Sequence, residues 1–88
     1  MKATSKEGQL GGEAIIDAIE SQLEQNQPVE TRKTLDRLIA LGESRENALR
    51  FIASALSVEI FEALKHQKSY HEQRYIKNLK ALPKLPYE

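Results

Sequence analysis

The stretch from Ala48 to Leu64 constrains the fold more than any other part of the chain. Its apolar residues (Ala48, Leu49, Phe51, Ile52, Ala55, Leu56, Val58, Ile60, Phe61, Ala63 and Leu64) recur at helical spacing and cover more than one face. A helix of that kind is expected at the centre of a fold, packed by several neighbours. Ala48, Ala53, Ala55 and Ala63 are small enough to let those neighbours approach closely. Ser44 is the expected N-cap, its hydroxyl placed to accept from the free amides near Glu46 and Asn47. Lys65, His66, Gln67 and Lys68 close the helix with cations at the negative end of its dipole, so its span is predicted as 45–67.

Three further helices are expected around it. Ile15, Ile16, Ile19 and Leu23 recur at three and four residues, opposite Asp17, Glu20, Ser21 and Glu24. This is the signature of an amphipathic helix, predicted at 13–26. Pro28 suits the first turn of a second helix, with Glu30 favourable to its dipole. That helix is predicted at 28–41 with an apolar stripe of Leu35, Leu38, Ile39 and Leu41 and with Val29 and Thr31 near its start. Gly42 directly follows as the expected left-handed residue past its end. Ser69 and Glu72 have the spacing of a capping box for a fourth helix, 70–82, whose apolar face is Tyr75, Ile76, Leu79 and Leu82. No segment alternates with period two. The fold class is therefore all-α, a compact four-helix bundle-like domain with short loops.

At 88 residues and 10.0 kDa, the chain is long enough for one domain. We assign residues 1–12 to a flexible N-terminal tail, 13–82 to the helical domain and 83–88 to an extended C-terminal tail. Leu85 and Tyr87 of that last segment are suited to docking on the core or on a partner. A chain this short has a thin core unless another chain covers part of it. Its hydrophobic fraction of 40% and charged fraction of 30% suit a soluble globule. With no apolar run of membrane length and no secretory leader, the expected location is the cytoplasm.

The stretch Leu38 to Ala53, followed by Glu-Ile-Phe-Glu-Ala-Leu at 59–64, resembles a small bacterial helical family of unknown function. In that family a proline precedes a Leu-Gly-x-Ser-Arg-His-Glu-Ala-x-His-type segment, and a Glu-Arg-Tyr-x-x-x-Leu helix closes the domain. The matching residues here are Pro28, Gly42, Ser44, Arg45, Ala48, Ile60, Phe61, Leu64, Glu72, Gln73, Arg74, Tyr75 and Leu79. The resemblance covers about residues 13–82 and implies a bacterial, all-helical protein. Where the pattern has two histidines four apart, this chain has Glu46 and Arg50, so no metal site or proton relay carries over. An i,i+4 ion pair worth ~0.3–0.5 kcal/mol stands there instead. Leu41, Gly42, Ser44, Arg45, Ala48 and Leu49 are also similar to the turn of ubiquitin-associated-type three-helix domains.

Catalytic chemistry finds no support. Cysteine is absent, which excludes thiolate catalysis, disulfides and cysteine-based zinc sites. Gly8, Gly11 and Gly12 follow no strand and precede no Lys-Ser or Lys-Thr, so they form no phosphate loop. Ser54 and Ser57 have no neighbouring base. Glu62 and His66 share a helix face, with His71 and Glu72 nearby, but nothing fixes a third metal ligand. We expect no enzyme, no cofactor, no metal and no small-molecule substrate.

Association explains the remaining pattern. The third helix carries more apolar surface than three amphipathic neighbours can cover, and leftover apolar surface marks an interface. Phe51, Ala55, Val58 and Phe61 are its expected centre, with Tyr75 and Tyr87 at the rim. A symmetric homodimer is the simplest solution, another protein the alternative.

Charge suggests a second reading. Residues 1–30 carry two cations against six anions, whereas Lys65 to Lys84 holds six cations against Glu72 alone. Asp17, Glu20 and Glu24 can therefore meet Lys77 and Lys80 within or between chains. Alternatively Lys68, Arg74, Lys77 and Lys80, interleaved with tyrosines, form a nucleic-acid surface. The zero net charge and a pI near 6.7 weigh against it. So does a helix-turn-helix reading in which Phe51, Ile52, Ala55 and Leu56 would have to face a groove.

Overall fold

The computed structural model describes residues 12–67 and 70–87. The expectations for residues 1–11, Lys68, Ser69 and Glu88 lie outside the described residues. Four helices follow one another: α1 (Gly12–Gln25), α2 (Val29–Ala40), α3 (Arg45–His66) and α4 (Glu72–Ala81). There is no strand among the described residues, and the all-α, bundle-like architecture is as the periodicity implies. Helix α3 packs against each of the other three. Helices α1 and α4 make no backbone contact with each other.

Each junction has a local cause. Asn26 ends α1 with φ 55°, a left-handed conformation that asparagine tolerates, while the Gln27 amide donates back to the Gln22 carbonyl at 3.0 Å. Pro28 precedes α2 with an extended backbone. Gly42, at φ 107°, lets the chain turn out of α2, and the Glu43 amide reaches the Leu38 carbonyl at 3.1 Å. Ser44 caps α3 as expected, its Oγ accepting from the Asn47 amide at 3.0 Å. Gln67 ends α3 in a left-handed conformation, its amide donating to the Ala63 carbonyl.

The fourth helix departs from the capping-box expectation. Its N-cap is His71, whose Nδ1 accepts from the Arg74 amide at 3.1 Å. Glu72 is thus the first helical residue rather than the third. The exit of α4 is held from outside. Arg37 on α2 donates to the carbonyls of Leu82 at 2.7 Å and Leu79 at 3.0 Å, satisfying acceptors that a helix end leaves open. The C-terminal segment then turns, the Lys84 amide donating to the Ala81 carbonyl at 3.0 Å, and Leu85 packs against the core.

The core takes Ile19 and Leu23 from α1, Leu35 and Leu38 from α2, Ala48, Leu49, Ile52, Ala55 and Leu56 from α3, and Tyr75, Leu79 and Leu82 from the last helix and its cap. Burying a side chain of leucine or isoleucine size contributes about 1.5–3 kcal/mol. The stripe expected on α2 needs correction. Ile39 and Leu41 are exposed, and Thr31 and Thr34 occupy the inward positions beside Leu35 and Leu38. The reason is helical phase: at about 100° per residue, Ile39 and Leu41 fall to either side of the face centred on Thr31, Thr34, Leu35 and Leu38.

Two polar clusters pin the helices to one another. The Gln22 side-chain oxygen accepts from the Thr31 hydroxyl and from the Tyr75 hydroxyl, both at 2.8 Å, joining α1, α2 and α4 at one atom. Burial pushes the Tyr75 phenol up to about 12. Glu59, on α3 and buried, accepts from Arg74 Nε at 2.6 Å, Arg74 Nη2 at 3.0 Å and the His71 amide at 3.1 Å. Burial raises the Glu59 carboxyl, but these donors and the guanidinium charge outweigh it and hold it below the usual carboxylate range.

Candidate interaction surface

Between Arg50 and Glu62 the only charged residue is Glu59, and Glu59 points into the protein. The outward face of α3 is therefore uncharged from Phe51 to Phe61, about three turns of helix. Its polar groups are also withdrawn. The Ser54 hydroxyl donates to the Phe51 carbonyl at 2.6 Å and the Ser57 hydroxyl to the Ser54 carbonyl at 3.0 Å. Both serines consequently present small side chains whose donors are already used. At the C-terminal end of this face, Phe61 and Leu64 are 68% and 72% exposed.

The expected interface residues divide into two groups. Phe61 and Tyr87 stand in solvent, and Phe51 and Val58 are half-buried on the same helix flank. Ala55 and Tyr75 are corrections, because both are fully buried. Ala55 lies on the inner side of α3, and Tyr75 is held inward by its hydrogen bond to Gln22. The sequence alone does not point to Leu64, Ala53 or Ser54 as members of this face. The absence of outward charge between Arg50 and Glu62 finds Ala53 and Ser54, whereas Leu64 lies beyond that run and is found by its exposure.

The basic C-terminal stretch is less available than its composition implies. Arg74 is committed to Glu59 through two hydrogen bonds. Lys77 and Lys80 are exposed, and Lys80 borders a small cleft of about 180 Å³ with Glu30, Lys33, Thr34 and Arg37. The acidic residues of α1 do not reach Lys77 or Lys80. Glu20 instead accepts from Nη1 and Nη2 of Arg45, at 2.9 and 3.0 Å, and that hydrogen bonding lowers its pKa.

Glu46 and Arg50 form the i,i+4 ion pair expected of them, at 3.1 Å. His66 Nε2 faces Glu62 at 3.3 Å, while His71 is occupied as the cap of α4. Among the described residues no group of three or more metal-ligand side chains converges. No helix among them is long and apolar enough to cross a membrane.

Open grooves border α3 among the described residues. One of about 400 Å³ lies between α1 and the N-terminal half of α3, floored by Ile16, Leu49 and Ala53 and rimmed by Glu13, Asp17, Glu46 and Arg50. Another of about 370 Å³ lies on the other flank, among Phe51, Ser54, Leu85 and Tyr87 with Glu43, Asn47 and Arg50. A third of about 420 Å³, near the C-terminal half of α3, includes Pro28, Ile60, Ala63, Leu64 and Tyr70. The chain matches no known family model, no curated protein and no solved structure.

Proposed function

We propose that this protein is a non-catalytic interaction module, that the outward face of α3 is its docking surface, and that it works as a homodimer. The observation that carries this reading is the uncharged run from Phe51 to Phe61, with its serine hydroxyls turned back onto the helix and Phe61 and Leu64 left in solvent. Fully covering side chains of this size is worth about 1.5–3 kcal/mol each. A small domain with a thin core gains from a second copy placed there. Oligomers of one chain are most often two-fold dimers, in which the same patch is used twice.

Molar mass by light scattering behind a sizing column, over a hundredfold dilution, tests the reading. The wild type is expected near twice 10.0 kDa at the higher concentrations. Phe61→Asp is expected to give a monomer whose thermal midpoint in dilute solution is unchanged, because Phe61 is no part of the core. A wild type that stays monomeric across the series overturns the proposal.

A further inference from the structure

The two halves of the α3 face differ in shape and in charge. Along the N-terminal half lie recesses on both flanks, one between α1 and α3 and one against Leu85 and Tyr87. Among the described residues the C-terminal half has a groove on its α1 flank only, with Leu64 itself in the lining, and it projects Phe61 and Leu64 into solvent. The recessed half is acidic at its edges, with Glu13, Asp17, Glu43 and Glu46 against Arg50 alone. On the projecting half the one outward anion, Glu62, faces His66 at 3.3 Å, and Lys65 follows Leu64 on the helix.

We infer that two copies pair through α3 in antiparallel, two-fold fashion, the projecting half of each lying on the recessed half of the other. This rests on α3 being the self-association face. A parallel pair would set recess against recess and acid against acid. The antiparallel pair matches projection to recess and Lys65 to the acidic edge. A two-fold axis across the helices reverses chain direction but keeps left and right flanks together. With side chains advancing about 100° per residue, Leu64 lies on the same flank of α3 as Ala53. Leu64 of one copy therefore enters the other copy's groove floored by Ile16, Leu49 and Ala53. The axis falls between Ser54 and Ser57, where small side chains allow the closest approach. This register sets Phe61 level with Phe51, and Lys65 level with Asn47 beside Glu43 and Glu46.

The absence of cysteine makes the test direct. Ser57→Cys is expected to cross-link to its own copy under mild oxidation. Asn47→Cys is not, and spin labels there should sit roughly 25–30 Å apart along the helix axes, from a rise of 1.5 Å per residue. A mixture of Asn47→Cys and Lys65→Cys chains is expected to cross-link. Charge reversal gives a second readout. Lys65→Glu should weaken association about tenfold, and adding Glu43→Lys and Glu46→Lys to the same chain should restore most of it. A dimer with labels at Asn47 as close as those at Ser57, or without charge rescue, overturns the antiparallel arrangement alone. A wild type that is monomeric overturns the self-association reading beneath it.

Discussion

Arg74 holds both carboxylate oxygens of Glu59, through Nε at 2.6 Å and Nη2 at 3.0 Å, although fifteen residues separate them. The carboxylate is 1% exposed and the guanidinium 40%, so the pair is a buried anion stoppered by a surface cation. Since the same carboxylate also receives the His71 amide, one side chain of α3 fixes both the start and the first turn of α4.

Glu59→Ala should therefore cost about 3 kcal/mol, from the lost pairing and the space left behind. Arg74→Met should destabilise by leaving the anion without its counter-charge, and the double variant should lose less than the two single variants together. Urea unfolding of the four chains closes this cycle. Because the folded pKa of Glu59 is depressed, the stability it supplies is present above the unfolded value of 4.5 and lost as pH falls through the folded one. Glu59→Gln should flatten that acid limb.

Tyr75 gives the opposite limb. Its phenol is raised from 10.0 to about 12, so the folded protein favours the neutral form. That contribution is complete below pH 10.0 and lost as pH rises through about 12. Tyr75→Phe should lower stability at neutral pH by about 1 kcal/mol, the loss of one hydrogen bond. It should also remove much of the decline between pH 10.0 and about 12, as followed by far-ultraviolet circular dichroism against pH.

Arg37→Met keeps an apolar stem but removes the donors to the Leu79 and Leu82 carbonyls. We expect a loss of about 1–2 kcal/mol, typical of hydrogen bonds to a charged group on a partly exposed side chain. Amide exchange should speed up first around Ala81 to Lys84, while the centre of α3 keeps its protection.

Gly42→Ala tests the turn between α2 and α3. Nothing lies within 4 Å of an added Cβ, so the cost is purely conformational, set by φ at 107°. It should amount to about 1–2 kcal/mol. Gly42→Asn should cost less, because asparagine tolerates positive φ better, and thermal melts of the two variants give the comparison.

These features were not equally legible in the sequence. Ser44 and Gly42 act as their residue types imply, because caps and left-handed turns are local problems solved within a few residues. The central place of α3 was equally readable from apolar residues on several faces. Which of those faces turns outward was not, because a helix with apolar residues all round carries no stripe to orient it. Ala55 accordingly lies in the core rather than at the surface. Tyr75 belongs to the apolar stripe of α4, and the Gln22 acceptor that holds its hydroxyl inside comes from another helix, which spacing does not reveal. The fourth helix is capped by His71 rather than Ser69, through a ring nitrogen that no capping-box pattern contains. Pairings such as Glu59 with Arg74 depend on how α3 and α4 meet, and spacing along the chain does not encode that.

The shared acceptor at Gln22 has a further consequence. A carbonyl oxygen has two lone pairs, and here one serves Thr31 and the other Tyr75. Helices α1 and α4, the first and last of the described chain, lack any backbone contact and are latched through this single amide. Oily packing tolerates sliding, whereas a hydroxyl either meets a lone pair or does not. Gln22 thus acts as an alignment pin, and closure of the bundle is checked at one atom for the positions of three helices at once.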